Sequence, residues 1–352
     1  MVALQPPEAA LRAALGARLS AAVVRVEHRG RVAFEAAYGT TRRGDGLPVF
    51  VDTRFDLASL TKIVVSTVAL VHVARGAIEL DATLTHVIPE WRGTAHEPIT
   101  LRMILAHDAG FASGADYRGL LESGVRVEEY ALTRELVAAP HTQVVYSDLG
   151  FIALGVILER LRARSLQSIV TEALDSLGIA SLGFRPALAE RARIPATERD
   201  AWRGLVQGTV HDEKAHLMGG VAGHAGLFGD ARDVARIAEI YLGALRGGDA
   251  APVGLDLVRE SLEEQAFDPI ARRGLGWVLR TSDENSCGTK MGSRAFGHTG
   301  FTGTSMWCDP DLDVSVVLLT NAVHYERGNL HALRVAVCDE AIDYVKRCAL
   351  SA

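Results

Sequence analysis

The sequence predicts an α+β fold in which one antiparallel sheet, built from both chain ends and flanked by terminal helices, carries an inserted all-helical domain. Strand-like segments stand near both termini. Between them, apolar residues recur mostly with helical spacing. We therefore predict a sheet domain of residues 1–56 and 271–352 and a mostly helical domain of residues 57–270, with a ligand-binding cleft between them.

The N-terminal elements follow from apolar periodicity and from turn residues. Residues 8–19 have the spacing of an amphipathic helix. Residues 21–27 and 32–37 are β-rich, and Gly30 lies in the short connection between them. This arrangement predicts a hairpin.

The middle of the chain predicts helices joined by loops. The first helix spans residues 57–75 and stops at Gly76. Apolar periodicity places further helices at residues 101–106, 130–138, 149–163 and 231–245.

The C-terminal segments predict three strands followed by a closing helix. The strands are at residues 275–281, 302–308 and 314–320, and a turn-rich stretch separates the last two. The closing helix spans residues 329–349.

Composition excludes several function classes. The 352 residues are 48% hydrophobic and carry a net charge of −6 without a dense basic stretch, which argues against nucleic acid or an anionic membrane as partner. The four cysteines form no C-x-x-C pair, which favours free thiols in a reducing compartment. Pro6, Pro7 and Glu8 stand where a signal peptide would be apolar, so we expect a cytoplasmic protein.

The first candidate for chemistry is an S-x-x-K motif at Ser59 and Lys62. The chain has only four lysines, and Lys62 opens an apolar run where a solvated lysine would be out of place. On a helix these two side chains share a face. A desolvated lysine loses proton affinity and can act as a base near neutral pH. The alternative is that Ser59 caps the helix while Lys62 reaches solvent.

Two further motifs are individually weak. Tyr146, Ser147 and Asp148 directly precede an apolar helix, where a tyrosine often only packs. His298, Thr299 and Gly300 precede a strand, where glycine usually marks a bulge or a close backbone approach.

Together, and in this order, the three motifs resemble the S-x-x-K, Y-x-N and K-T-G set of the penicillin-recognising serine hydrolases. The chain is similar to the class C β-lactamase group, with its D-alanyl-D-alanine carboxypeptidases and serine esterases. Nearly the whole chain takes part in this resemblance, which agrees with the predicted fold. Further similar stretches are residues 55–62, 104–110, 145–150, 219–228 and 297–304.

The resemblance implies an acyl-enzyme mechanism. Ser59 would attack an ester or amide carbonyl, and Lys62 coupled to Tyr146 would accept its proton. The backbone N–H groups of Ser59 and Phe301 would form the oxyanion hole. The remaining motif residues would tune this pair and orient the substrate; they are Asp148, His298, Thr299 and Gly300.

Two departures from the family pattern favour an esterase. The third motif begins with His298 instead of lysine, and the second ends in Asp148 instead of asparagine. A neutral histidine attracts a carboxylate weakly, and a nearby aspartate repels it. Lowering the pH toward 6 should protonate His298 and strengthen its attraction for a substrate carboxylate. The alternatives are a β-lactamase or D-Ala-D-Ala carboxypeptidase, and a non-catalytic binding protein of the same fold.

No metal or organic cofactor is predicted. The histidines at 211 and 216 lack a recognised ligand spacing, and His224 is expected to be a structural hydrogen-bonding residue. The expected partner is a small-molecule ester or amide, and the oligomeric state stays open.

Overall fold

The structure is a computed structural model that describes residues 6–350. Its strands are β1 (Ala21–His28), β2 (Arg31–Gly39), β3 (Phe55–Asp56), β4 (Gly183–Phe184), β5 (Glu198–Asp200), β6 (Gly204–Val206), β7 (Leu227–Gly229), β8 (Val278–Leu279), β9 (Phe296–Thr299), β10 (Ser305–Asp309) and β11 (Val314–Thr320).

The helices alternate with loops along the chain. They are α1 (Ala9–Ala14), α2 (Leu60–Ala74), α3 (Leu101–Leu105), α4 (Tyr117–Ser123), α5 (Val127–Thr133), α6 (Asp148–Arg162), α7 (Leu166–Ser176), α8 (Glu213–Leu217), α9 (Ala231–Leu245), α10 (Leu255–Ser261) and α11 (His331–Leu350). Short 3₁₀ turns lie at Leu84–His86, Pro89–Trp91, Leu188–Arg193 and Ala322–His324.

The main sheet confirms the predicted fold class. Its six strands run in the order β2-β1-β11-β10-β9-β8, and every neighbouring pair is antiparallel. The chain ends meet where β1 pairs with β11, with Val24 opposite Leu318. The paired residues are almost 300 positions apart in the sequence. The inserted region is the part of the chain between these two strands.

The sheet is covered on both faces. Along β1, Val23 joins a core cluster that includes α9 residues, whereas Val24 joins a second cluster with α1 and α11. Successive side chains of a strand point to opposite faces, so one strand serves both cores. The terminal helices therefore flank the sheet as predicted.

The inserted region carries short strands as well as helices. Helix α2 is its centre, and residues 60–72 of this helix are all buried. Strands β3, β7 and β4 form a small antiparallel sheet, and β5 pairs with β6. The expectation of an all-helical insert is corrected in this detail, because segments of two or three residues are too short for apolar alternation to show in a sequence.

Several predicted boundaries move. The first helix ends at Ala14, ahead of Gly16, whose φ is +78°. Helix α5 occupies Val127–Thr133 instead of residues 130–138, and the strand predicted at 275–281 shrinks to Val278–Leu279. Within residues 6–350, no helix combines the length and hydrophobicity needed to cross a bilayer.

Candidate active site

Ser59 stands at the N-terminus of α2, directly after a strained residue. Ala58 has a φ of +46°, in the left-handed region that non-glycine residues rarely adopt. Its N–H donates to Asp56 Oδ1 at 2.8 Å, and Asp56 is buried. This turn presents the half-buried Ser59 to a cleft, and such strain is typical of functional positions.

The loop that follows the third motif holds this turn in place. Thr302 Oγ1 donates to the carbonyl of Asp56 at 2.9 Å, and Thr304 Oγ1 donates to that of Leu57 at 3.1 Å. A Cβ on Gly300 would lie 2.1 Å from Thr304 Oγ1 and 2.7 Å from Leu57 O. The glycine is therefore required for the β9–β10 turn to reach the segment that carries Ser59.

Lys62 is fully buried and contacts the serine directly. Its Nζ lies 2.9 Å from Ser59 Oγ, 2.8 Å from Asp148 Oδ1 and 3.3 Å from the carbonyl of His224. Burial acts to lower the pKa of Lys62, but Asp148 and Tyr146 outweigh it and raise that pKa. The expectation that desolvation weakens its proton affinity is wrong for the free enzyme, because the half-buried carboxylate of Asp148 stabilises the ammonium.

Tyr146 lies among cations and aromatic rings. Lys62 Nζ is 4.8 Å from its ring centroid, and the guanidinium of Arg273 is 5.4 Å from it. The rings of His107 and His298 lie at 4.7 and 5.8 Å. A phenolic oxygen accepts a proton only in its deprotonated form, and positive charges beside the ring would stabilise the negative charge of that form.

His298 is a neutral group of the sheet. It lies in β9 and is 3% exposed, and its Nδ1 is 2.8 Å from the carbonyl of Thr299. Burial, with Lys62 and Arg273, lowers the pKa of His298 to about 3. Protonation near pH 6, expected from an ordinary histidine, is therefore corrected.

Two arginines that motif spacing did not reveal line the same cleft. Arg273 is 8% exposed, and burial lowers its pKa. Arg334, in α11, donates to the carbonyls of Gly300 and Thr304 at 2.7 and 3.0 Å, and burial lowers its pKa to about 10. Neither belongs to a local motif, so only folding brings these cations to the motif residues.

Asp148 belongs to a chain of buried and half-buried charged groups. Its second oxygen lies 3.3 Å from Lys214 Nζ, which is 3.0 Å from Asp212, and Asp212 lies 2.8 Å from His224 Nε2. Burial works against ionisation of Asp148, but Lys62, His224 and Lys214 lower its pKa. The charge expected to repel a substrate carboxylate is thus neutralised by two lysines, and His224 makes the hydrogen bond predicted for it.

Asp148, Asp212 and His224 could offer three ligand atoms within 4.8 Å of one another. However, the ammonium of Lys214 lies beside both carboxylates. The positive charge of Lys214 therefore already compensates the negative charge of these two carboxylates.

The cleft has a volume of about 470 Å³. Among residues 6–350, the backbone N–H groups of Ser59 and Phe301 donate to no backbone or side-chain acceptor. The Phe301 ring is 56% exposed and stacks on His211 at 5.5 Å. The structure thus groups every residue singled out in the sequence at one cleft: Ser59, Lys62, Tyr146, Asp148, His298, Thr299, Gly300 and Phe301.

Comparison with known proteins decides the family. The family model described as Beta-lactamase matches residues 8–338. The chain belongs to the beta-lactamase family. It is a serine hydrolase of that family.

Curated relatives and solved structures agree with this membership. A D-alanyl-D-alanine carboxypeptidase of Salmonella agona (strain SL483), so named, is 30% identical over 344 residues, which cover 85% of this chain and 78% of the relative. A protein of the same name from Escherichia coli (strain K12) is 28% identical over 84% of this chain and 76% of its own.

Two solved structures share the fold. EstCE1, titled a hydrolase with promiscuous acyltransferase activity, has a TM-score of 0.77 at 20% identity and covers 96% of this chain and 97% of its own. A class C beta lactamase from Rhodobacter sphaeroides has a TM-score of 0.74 at 21% identity and covers 98% and 99%.

Proposed function

We propose that this serine hydrolase cleaves small esters through an acyl-enzyme formed on Ser59. The observation that carries the proposal is the contact of 2.9 Å between Lys62 Nζ and Ser59 Oγ at the edge of a cleft of about 470 Å³. A small ester needs only a nucleophile, a proton acceptor and an oxyanion hole, and each has a candidate in this cleft.

The free enzyme holds Lys62 as an ammonium, because Asp148 pairs with it. In the proposed acylation Tyr146 acts as a phenolate. Its oxygen accepts the Ser59 hydroxyl proton while Oγ bonds to the carbonyl carbon and the carbonyl π electrons move onto the carbonyl oxygen. Lys62 and Arg273 lie beside Tyr146 and would stabilise the phenolate before it takes the proton. As the ester C–O bond breaks, the alkoxide leaves with that proton.

Deacylation repeats these steps with water. Water gives a proton to Tyr146, its oxygen bonds to the acyl carbon, and the bond to Ser59 Oγ breaks as Oγ regains the proton. The N–H groups of Ser59 and Phe301 would donate to the carbonyl oxygen when it carries negative charge. His298 stays neutral and Thr299 lines the wall of the cleft beside it.

The test is covalent labelling. A fluorophosphonate should add once to the wild type, and peptide mapping should place the adduct on Ser59. Ser59→Ala should lose labelling and hydrolysis of p-nitrophenyl acetate, whereas Ser66→Ala, seven residues along the same helix, should keep both. An adduct on Ser147 or Ser305 would overturn the assignment.

A second candidate is hydrolysis of an amide beside a free carboxylate, as in a D-alanyl-D-alanine carboxypeptidase or a β-lactamase. The favouring observation is that Arg273 and Arg334 line the cleft, together with the names of the curated relatives. A charge-assisted hydrogen bond contributes about 1.5–3 kcal/mol. A carboxylate near these guanidiniums would therefore gain roughly 10–150-fold in transition-state binding.

A matched substrate pair separates the two candidates. A peptide ending in D-Ala-D-Ala is compared with its C-terminal amide, and nitrocefin is assayed beside p-nitrophenyl butyrate. The esterase predicts poor nitrocefin turnover and no preference for the free acid. A strong preference for the acid, which Arg273→Gln reduces by a larger factor than it reduces ester hydrolysis, would establish the second candidate instead.

A further inference from the structure

His107 makes paired contacts with the segment that carries Tyr146. Its carbonyl oxygen accepts the N–H of Val145 at 2.8 Å, and its ring Nδ1 accepts the N–H of Ser147 at 3.0 Å. The residues directly before and after Tyr146 are therefore hydrogen-bonded to one residue. This segment precedes α6 and lies in no helix or strand. The bonds to His107 therefore satisfy backbone groups that regular secondary structure would otherwise pair.

His107 is itself firmly held. It is 5% exposed, and its φ of +61° lies in the left-handed region. Its ring lies 4.7 Å from that of Tyr146 and 5.0 Å from that of Phe151. Burial, with the charges of Arg273 and Lys62, keeps the pKa of His107 well below its ordinary value, so Nδ1 remains a hydrogen-bond acceptor.

Ser147, which is bonded to the His107 ring, also holds the start of α6. The Ser147 hydroxyl accepts the N–H of Gly150 at 3.0 Å and donates to the carbonyl of Ala112 at 2.6 Å. It therefore caps the helix that begins at Asp148, the partner of Lys62. Displacing Ser147 would move both the Tyr146 ring and the Asp148 carboxylate.

We propose that His107 is a positioning residue that fixes Tyr146, through hydrogen bonds on both sides of it, at the distance needed for proton transfer with Ser59. The proposal rests on the acyl-enzyme function given above. His107 need not exchange a proton with substrate. Its contribution is geometric, and an error of about 1 Å in a catalytic group can cost about 10²-fold in rate.

The test compares two substitutions that both tolerate a left-handed backbone. His107→Asn keeps an acceptor, the side-chain oxygen, near the place of Nδ1, whereas His107→Gly removes it. The control is His96→Ala, which removes another buried histidine, one stacked on Trp91 at 5.5 Å in a different part of the helical region. The measurements are the rate of fluorophosphonate labelling, kcat and KM for p-nitrophenyl acetate, and the melting temperature.

We expect His107→Gly to lose about 30–100-fold in labelling rate and kcat, with KM changed less than about threefold. His107→Asn should stay within about fivefold of the wild type, and His96→Ala within about twofold even where its melting temperature falls. Wild-type kcat in folded His107→Gly, or equal losses in His107→Gly and His107→Asn, would overturn the proposal.

If His107→Gly does not fold, His107→Leu replaces it, because leucine fills the space without offering an acceptor. The proposed function itself is read separately, from labelling of Ser59 in the wild type. Failure of that labelling refutes the acyl-enzyme, whereas normal wild-type labelling with no effect in the His107 variants refutes only the positioning role.

Discussion

At the scale of residues, burial changes what the side chains of the site can do. Lys62 and His298 are both buried within the same site, yet their pKa values move in opposite directions. Lys62 has a carboxylate 2.8 Å away, so its charged form is stabilised. For His298, burial favours the neutral form, and the charges of Lys62 and Arg273 lower its pKa further. Burial alone does not predict the charge; the nearest partner decides it.

Lys62→Arg should nearly abolish acylation. Arginine carries the same charge but is larger and planar, so it cannot fit the fully buried site in which Lys62 contacts both Ser59 and Asp148. We expect a loss of about 10²–10⁴ in the rate of Ser59 labelling. Lys290→Arg, at an exposed ion pair with Asp343, is the control and should be unchanged. A folded Lys62→Arg variant with half the wild-type rate would show a structural lysine.

His298 should make the protein less stable in acid. Its folded pKa is about 3, below the ordinary value of 6.5, so between these values the unfolded chain binds more protons. This contribution is complete above pH 6.5 and is lost as the pH falls. We expect His298→Gln to show about 2 kcal/mol less decline in the free energy of unfolding from pH 7 to pH 5, measured by urea denaturation. Equal declines in variant and wild type would contradict this assignment.

At the scale of elements, the site depends on the contact between the β9–β10 turn and the residues that precede α2. The β9–β10 turn donates two threonine hydroxyls to the carbonyls of Asp56 and Leu57, just before the nucleophile. The same turn is tied to α11 through Arg334. The geometry at Ser59 therefore depends on elements from the C-terminal part of the chain as well as on the helix that carries it.

Gly300→Ala tests this contact. The new Cβ would lie closer to Thr304 Oγ1 and Leu57 O than real atoms allow, so the turn or the nucleophile segment must move. We expect a loss of about 1–3 kcal/mol in the free energy of unfolding and of about 10–100-fold in kcat. Gly114→Ala, whose Cβ would meet no atom within 4 Å, is the control. Unchanged kcat in Gly300→Ala would show that the turn does not set the site.

At the scale of the whole molecule, the sheet and the inserted region share a core. One buried cluster contains Val23 and Val317 of the sheet, Ile63 of α2 and Ile152 of α6. The division into a sheet domain of residues 1–56 and 271–352 and a domain of residues 57–270 stays a prediction, and residues 1–5 and 351–352 lie outside the described part. A shared core favours joint unfolding of both parts.

We accordingly expect a single unfolding transition. Far-ultraviolet circular dichroism, which reports mainly the helices, and tryptophan fluorescence should give the same midpoint in urea. Of the four tryptophans, Trp91 and Trp202 lie in the inserted region. The double variant Trp91→Phe, Trp202→Phe therefore leaves only Trp277 and Trp307, on the sheet side, as reporters. Different midpoints for the two signals would show that the two predicted domains unfold independently.

The sequence by itself determined the strands at both chain ends, the central helix and three ordered motifs, because hydrophobic periodicity and short spacings are local properties. It did not determine the charge of Lys62, the neutrality of His298, the two arginines of the cleft or the double contact of His107. Lys62 and Asp148 are 86 residues apart, and Arg334 reaches Gly300 across 34. Protonation states depend on burial and on charges within a few ångströms, and those distances exist only after the chain has folded.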